Sequence, residues 1–232
     1  MKTKGVFIAG TDTGIGKTFA ACSLLHALRA AGLRATGMKP VASGCEETPE
    51  GLRSKDALAL IAASDPMPER YQHCNPFAFK APVSPHIAAA EMDEEVTLPP
   101  IQDAYDSLAI MHGEAIVVEG VGGWLAPLSD TLRANAIPLT LQLPVILVVG
   151  LKLGCLNHAQ LTARAIRADG CELLGWIGNR IDPDMLNPKE NLVLLNRSLA
   201  APCLGVLPHG VAPMSAAASL RDAADALRDY AP

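Results

Sequence analysis

Short, continuous apolar runs alternate along this chain with longer stretches in which apolar residues recur about every three to four positions. The runs Gly5–Ala9, Arg34–Met38, Ala115–Val118, Val145–Val149, Leu174–Ile177 and Cys203–Val206 have the length of strands. The patterns Lys17–Ala31, Ser54–Ala63, Pro85–Met92, Ile101–His112, Asn157–Asp169, Pro188–Leu199 and Ala216–Asp229 have the period of helices. Strands separated by helices imply βαβ units and a mostly parallel sheet. The strands are apolar throughout rather than at alternate positions, so both sheet faces must be covered. The expected fold is therefore α/β, a three-layer sandwich with a mostly parallel central sheet and helices on both faces. No linker, repeat or low-complexity segment interrupts it, and residues 1–232 read as a single domain. Ligands of such sheets bind at the carboxyl ends of the strands. Gly10–Thr18, Lys39–Gly44, Glu119–Gly123, Gly150–Asn157, Asn179 and Pro208 all fall there.

Residues 10–18 read Gly-Thr-Asp-Thr-Gly-Ile-Gly-Lys-Thr, directly after an apolar run and directly before a helical pattern. That context defines a phosphate-binding loop. Glycines let the backbone wrap an anion, and successive N–H groups point at phosphate oxygens. Lys17 can reach the outer phosphates, and the Thr18 hydroxyl can sit on Mg²⁺. One position departs from the general motif: Thr11 stands six residues before Lys17, where glycine is expected, with Gly10 one residue earlier.

A bound triphosphate needs a metal site, and Mg²⁺ prefers one or two carboxylates plus hydroxyl, phosphate and water oxygens. Glu119 ends the run Ala115–Val118 and opens the glycine-rich turn Glu119-Gly-Val-Gly-Gly-Trp124, so the fold should aim it at the phosphates. Its plainer reading is an acidic cap on a surface turn. Asp56, in Ser54-Lys-Asp-Ala-Leu, reads equally as a ligand or as a first-turn residue stabilising a helix N-terminus. Lys39 follows the second strand, in Lys39-Pro-Val-Ala-Ser-Gly44. It can supply positive charge to a transferring phosphoryl group or an anionic substrate, or it can be a solvated lysine beside Pro40.

Composition narrows the classes. Half of the residues are apolar and 19% are charged, ample material for a buried core. The net charge is −5 and no basic run is longer than two residues, which argues against nucleic acid as a partner. No apolar stretch approaches the roughly 18 residues of a membrane span. The chain starts straight into a strand with no leader-like segment, so a cytoplasmic protein is expected. The six cysteines, Cys22, Cys45, Cys74, Cys155, Cys171 and Cys203, form no Cys-x-x-Cys pair. Reduced buried thiols are expected rather than structural zinc or disulfides.

Several segments in order resemble the dethiobiotin synthetase family. They are Gly-Thr-Asp-Thr-x-x-Gly-Lys-Thr at 10–18, Lys-Pro-Val-x-Ser-Gly at 39–44 and Val-Glu-Gly-x-Gly-Gly-Trp at 118–124. Val149-Gly-Leu-Lys-Leu-Gly-Cys-Leu-Asn-His158, Gly175-Trp-Ile-Gly-Asn179 and Leu204-Gly-Val-Leu-Pro208 extend the likeness almost to Pro208. The resemblance implies a fold of the P-loop NTPase type. It also implies closure of 7,8-diaminononanoate (7,8-diaminopelargonate) with CO₂ to the cyclic urea of dethiobiotin, driven by ATP with Mg²⁺. It places Thr18, Asp56 and Glu119 at the metal, and Gly14, Ile15, Gly16, Lys17 and Thr18 around the triphosphate, with Gly120 and Gly122 nearby. Lys39 matches the family's catalytic position beside Lys17, and Thr13 and Ser43 match substrate-side hydroxyls. Asn179 resembles the adenine reader, helped by Leu207, Pro208 and His209. The stretch Lys152–Asn157, with Gly154, Cys155 and Asn157, resembles the one that holds the substrate carboxylate, from the neighbouring subunit of a homodimer.

The family also carries Ser-Pro-His at 84–86, so that loop should border the substrate. His86 and His158 read as packing groups rather than proton-transfer groups, and Trp124 and Trp176 as packing beside the glycine turn and the base pocket. Three places depart from the family pattern. Gly14 stands where some relatives carry an acidic residue, and Pro138 sits where it would interrupt a helix in Arg133-Ala-Asn-Ala-Ile-Pro138. The tail from Ser215 lacks the acidic residue that some relatives place near the base or ribose. Two other classes share the fold. A partition-type switch ATPase would carry a second lysine early in the loop, where Thr11-Asp12-Thr13 stands. An amidating ligase of cofactor synthesis would carry an appended glutaminase domain.

Overall fold

The computed structural model describes residues 3–110 and 113–230. In chain order the elements are β1 (Lys4–Gly10), α1 (Lys17–Ala30), β2 (Ala35–Met38), β3 (Val41–Ala42), β4 (Glu46–Thr48), β5 (Gly51–Arg53) and α2 (Lys55–Ala63). Then come α3 (Tyr71–Cys74), β6 (Phe77–Ala78), α4 (Pro85–Ala90), α5 (Leu98–Ile110), β7 (Ala115–Glu119), α6 (Ala136–Leu141) and β8 (Val145–Gly150). The chain closes with α7 (Cys155–Ala168), β9 (Leu173–Asn179), α8 (Pro188–Ser198), β10 (Cys203–Leu207), α9 (Pro213–Ala216) and α10 (Arg221–Asp229).

Six strands form one sheet in the order β10-β9-β8-β1-β7-β2, every pairing parallel. All six are the strands that the apolar runs predict. Along β1, Val6 and Ile8 pack on one side with α1, α2 and α10, while Phe7 and Ala9 pack on the other with α4 to α8. These two cores are the outer joints of the three layers. Helix ends follow their residues. α1 stops at Gly32, φ +84°, where Leu33 N–H donates to Leu28 O and Gly32 N–H to Arg29 O, a glycine-terminated end that satisfies the last carbonyls.

Register positions the site. Ile8 lies opposite Glu119 and Met38 opposite Val118, so the residues that end β1, β7 and β2 emerge side by side from one sheet edge.

Two expectations change, and some short elements are additional. Pro138 does not break its helix: it stands in the first turn of α6, where no intrahelical N–H is needed. The expected helix Ala216–Asp229 begins earlier, at Pro213, and passes through a tight 3₁₀ turn at Ala217–Leu220 before α10. The short strand pair β3–β6 and the hairpin β4–β5 have no counterpart in the sequence pattern. The expected helix end at Met111–His112 lies outside the described residues.

Candidate functional site

The phosphate loop leaves β1 and enters α1 through Gly16, which takes the left-handed conformation at φ +82°. A side chain there would run into the Asn179 amide. Asn179, 4% exposed at the end of β9, donates from Nδ2 to the carbonyl of Ile15 at 2.9 Å. It therefore props the loop from beneath. Lys17 is buried, and its Nζ donates to Asp12 O at 2.8 Å and Gly122 O at 2.7 Å. That pair of bonds ties the loop to the glycine turn after β7. Burial, with Lys39 close by, pulls the Lys17 ammonium down to about 8.

Beside it stands an ionic cluster. Lys39 Nζ lies 2.5 Å from Glu119 Oε1 and 3.0 Å from Asp56 Oδ2, and it donates to Gly120 O at 3.2 Å. Thr18 Oγ1 donates to the same Glu119 oxygen at 2.8 Å. Lys39 and Glu119 are almost wholly buried, and Asp56 is half exposed. Burial works against the Lys39 charge, but Glu119 and then Asp56 outweigh it, and its pKa is raised. Burial likewise works to raise Asp56, and Lys39 outweighs it, so this carboxyl titrates below its ordinary range. The solvated-lysine and surface-cap readings of Lys39 and Glu119 do not survive this burial. Asp56 is both things at once: a first-turn residue of α2 and a member of the cluster.

Glu119 Oε2 is buried and has no hydrogen-bond partner among the described residues. That free acceptor, with the Asp56 carboxylate and the Thr18 hydroxyl, is the hard oxygen set that suits Mg²⁺. These residues fit the cation.

All of this lines one cavity of about 690 Å³, which brings together Thr13, Gly14, Gly16, Lys17, Thr18, Lys39, Ser43, Asp56, Glu119 and Gly122. The rest of its lining is mostly apolar, Ala42, Pro82, Val83, Pro85, Val121 and Ala126, with Ser84 and Gly123. Ala42 and Val121 fall in the rim segments 39–44 and 119–123, and Pro82, Val83 and Pro85 in or beside the Ser-Pro-His loop at 84–86; Ala126 carries no signal in the sequence. A second, smaller cavity of about 230 Å³ gathers Phe19, Asn179, Arg180, Ile181, Pro208 and His209, with Gly210 and Val211. Asn179 thus links the two cavities through the loop it supports.

Other expected residues stand apart. Leu207 and Ile15 are buried, and Gly120 meets the cluster through its carbonyl alone. Gly154, the N-cap of α7, and Asn157, in its first turn, do not line the main cavity of their own chain. The Cys155 side chain belongs to the core, and its N–H donates to Lys152 O. His158 is exposed on α7, and Trp176 is fully buried. Trp124 anchors the glycine turn by donating from Nε1 to Asp169 Oδ2 at 2.7 Å.

A parallel sheet with a glycine-rich loop, a buried lysine and a hydroxyl–carboxylate cluster at one edge defines a P-loop nucleotide-binding protein. Solved structures agree on the fold: the MinD cell division protein of Aquifex aeolicus superposes with a TM-score of 0.61 at 12% identity, covering 99% of this chain and 98% of that one. A ParA family ATPase from Chlorobium tepidum TLS gives 0.58 at 12%, covering 96% and 98%. A family model described as an AAA domain matches residues 4–212. The ATP-dependent dethiobiotin synthetase BioD of Xanthomonas euvesicatoria pv. vesicatoria is 55% identical over 208 residues, 90% of this chain and 92% of the relative. That of Xylella fastidiosa is 50% identical over 228 residues, 97% and 100%. The chain belongs to the ATP-dependent dethiobiotin synthetase family.

Proposed function

We propose that this chain, an ATP-dependent ligase by family, converts 7,8-diaminononanoate, CO₂ and ATP to dethiobiotin, ADP and phosphate in biotin synthesis. The observation that carries the reading is the single cavity holding two lysines, a hydroxyl–carboxylate cluster and an apolar wall. The loop from Gly14 to Thr18 takes the triphosphate, and Lys17 faces its outer phosphates. The base lies against Asn179, Pro208 and His209. Thr18, Asp56 and Glu119 hold Mg²⁺, which supplies charge neutralisation to the phosphates when bound.

The diamine lies along the apolar wall, with its nitrogens near Thr13, Lys39 and Ser43. One neutral amine adds CO₂ and loses a proton, giving a carbamate anion that the Lys39 ammonium stabilises. The carbamate oxygen attacks the γ-phosphorus, the bond to ADP breaks, and Lys17 offsets the charge of transfer. The second amine then attacks the carbonyl of the mixed anhydride, closing the five-membered ring and expelling phosphate. Both amines sit on one molecule, so closure needs positioning more than a general base.

The reading extends to assembly. Residues 152–157 of one subunit complete the cavity of the other, consistent with Leu153, 96% exposed on that turn. The working unit is then a cytoplasmic homodimer of single P-loop domains. No described helix is long and apolar enough to cross a membrane. The test is incubation of purified protein with ATP, Mg²⁺, labelled bicarbonate and the diamine. Acid-stable label in a cyclic urea is expected; ATP hydrolysis without it rejects the assignment.

A further inference from the structure

Lys39 and Asp56 sit in contact, yet they belong to separate segments with the exposed hairpin β4–β5 between them. Something else must set their spacing. We propose that Asn75 and Tyr71 form a hydrogen-bonded tie between the Lys39 turn and the first turn of α2, and are positioning residues for the reaction. The proposal rests on the functional reading above.

Asn75 is 2% exposed, and every polar group of its side chain is used. Nδ2 donates to Lys39 O at 2.7 Å and to Phe77 O at 2.9 Å, while Oδ1 accepts from the Tyr71 hydroxyl at 2.7 Å. The Tyr71 oxygen in turn accepts from the N–H of Ser54 at 2.7 Å. Ser54 is the N-cap of α2, two residues before Asp56. The Lys39 N–H donates to Cys74 O at 2.7 Å, so both polar groups of the Lys39 backbone hang on residues 74 and 75. One continuous path therefore runs from the Lys39 carbonyl through Asn75 and Tyr71 to the start of α2.

The path has one sense only. A flipped Asn75 amide would set its oxygen against two carbonyl oxygens. Tyr71 is fixed from the other side by the Arg53 guanidinium, 4.3 Å above its ring. A buried polar network of this kind specifies one arrangement where apolar packing would allow several. That matters because Asp56 is 45% exposed. A displacement of about 1 Å of such a group can cost up to about 100-fold in rate.

The test is Tyr71→Phe in the full chain, which removes the hydroxyl and keeps the ring. Ser64→Ala is the control: it breaks a buried bond, Gly37 N–H to Ser64 Oγ at 2.8 Å, at the far end of the same helix. Both variants should lose similar Tm. Tyr71→Phe alone should lower kcat, by about 10- to 100-fold, with the metal-free ADP dissociation constant within about twofold of the parent. Unchanged kcat, or equal kcat losses in both variants, overturns the tie. Should Tyr71→Phe fail to fold, Asn75→Ser carries the same expectation and the same refutation. Lys39→Ala is assayed alongside. If the parent forms no cyclic urea, the functional reading fails; if Lys39→Ala stays active, Lys39 has no part in the reaction and the tie has nothing to position; if Lys39→Ala is inactive while Tyr71→Phe is fully active, the tie alone fails.

Discussion

Replacing Lys39 with methionine keeps an unbranched side chain of similar length and removes the ammonium from the cluster. At 2.5 Å and an effective dielectric near 20, its attraction to Glu119 is roughly 7 kcal/mol. Much of that offsets the desolvation of two side chains that are 4% and 1% exposed. Deleting one partner of a buried pair costs about 3–5 kcal/mol net, because the other charge is left without compensation. The contact with Asp56, 45% exposed, adds little after solvent screening. For a chain of 232 residues the expected fall in Tm is roughly 6–20 °C. The pH dependence identifies the cause. Asp56 has a lowered folded pKa, so the stability it contributes is present above its unfolded value and lost as pH falls through the folded one. Lys39 has a raised folded pKa, so its contribution is full below 10.5 and lost as pH rises through the folded value. The gap between parent and variant is thus widest near neutrality and narrows at both ends. Thermal denaturation followed by circular dichroism from pH 2 to pH 12 measures it, because Asp56 titrates below 3.8 in the fold and Lys39 above 10.5. A gap under about 2 °C at pH 7, or one that ignores pH, refutes the reasoning.

Two further outcomes follow from the loop. Lys17, pulled down to about 8 by burial and by Lys39, binds phosphates as the ammonium, so nucleotide affinity should fall above pH 8 by up to about tenfold per unit; fluorescent-ADP titrations from pH 7 to pH 9 that stay flat would remove Lys17 from the phosphate site. Gly16→Ala places a methyl at φ +82° against the Asn179 amide, and should weaken nucleotide binding at least about tenfold while lowering Tm; unchanged binding would show that the loop is not where the nucleotide sits.

What the sequence made legible was local. The loop at 10–18 carries its chemistry in contiguous residues, and the apolar runs that form β1, β2 and β7 place Glu119 and Lys39 on the same sheet edge. Asp56 shows the limit: a first-turn carboxylate and a cluster member look the same in one dimension, and the structure makes it both. The strands β3 and β6 are two residues each, too short for any period to register. Pro138 misled because its effect depends on where the helix begins. Asn75 was invisible because its partners, Lys39, Tyr71 and Phe77, meet it through backbone carbonyls and a hydroxyl, which no residue pattern announces.

The two lysines of the cavity differ in what already holds them, and that difference assigns their work. Lys39 is paired with two carboxylates and keeps one exchangeable contact, to the Gly120 carbonyl, so it can turn a single proton to an incoming anion without breaking a buried ion pair. Among the described residues Lys17 is held by the neutral carbonyls of Asp12 and Gly122, contacts that an anionic phosphate readily replaces. It is the unspent cation of the site, and its lowered pKa is the mark of a buried charge without a close enough counterion. Lys39 depresses Lys17, while Glu119 and Asp56 raise it. Removing the Lys39 ammonium deletes the opposing charge and leaves both carboxylates, and each change favours the protonated Lys17. In Lys39→Met the loss of nucleotide affinity with rising pH should therefore begin above 8, at a higher pH than in the parent. A profile that stays in place, or moves down, would mean that Lys17 does not sense the cluster and that the two cations do not share one electrostatic site.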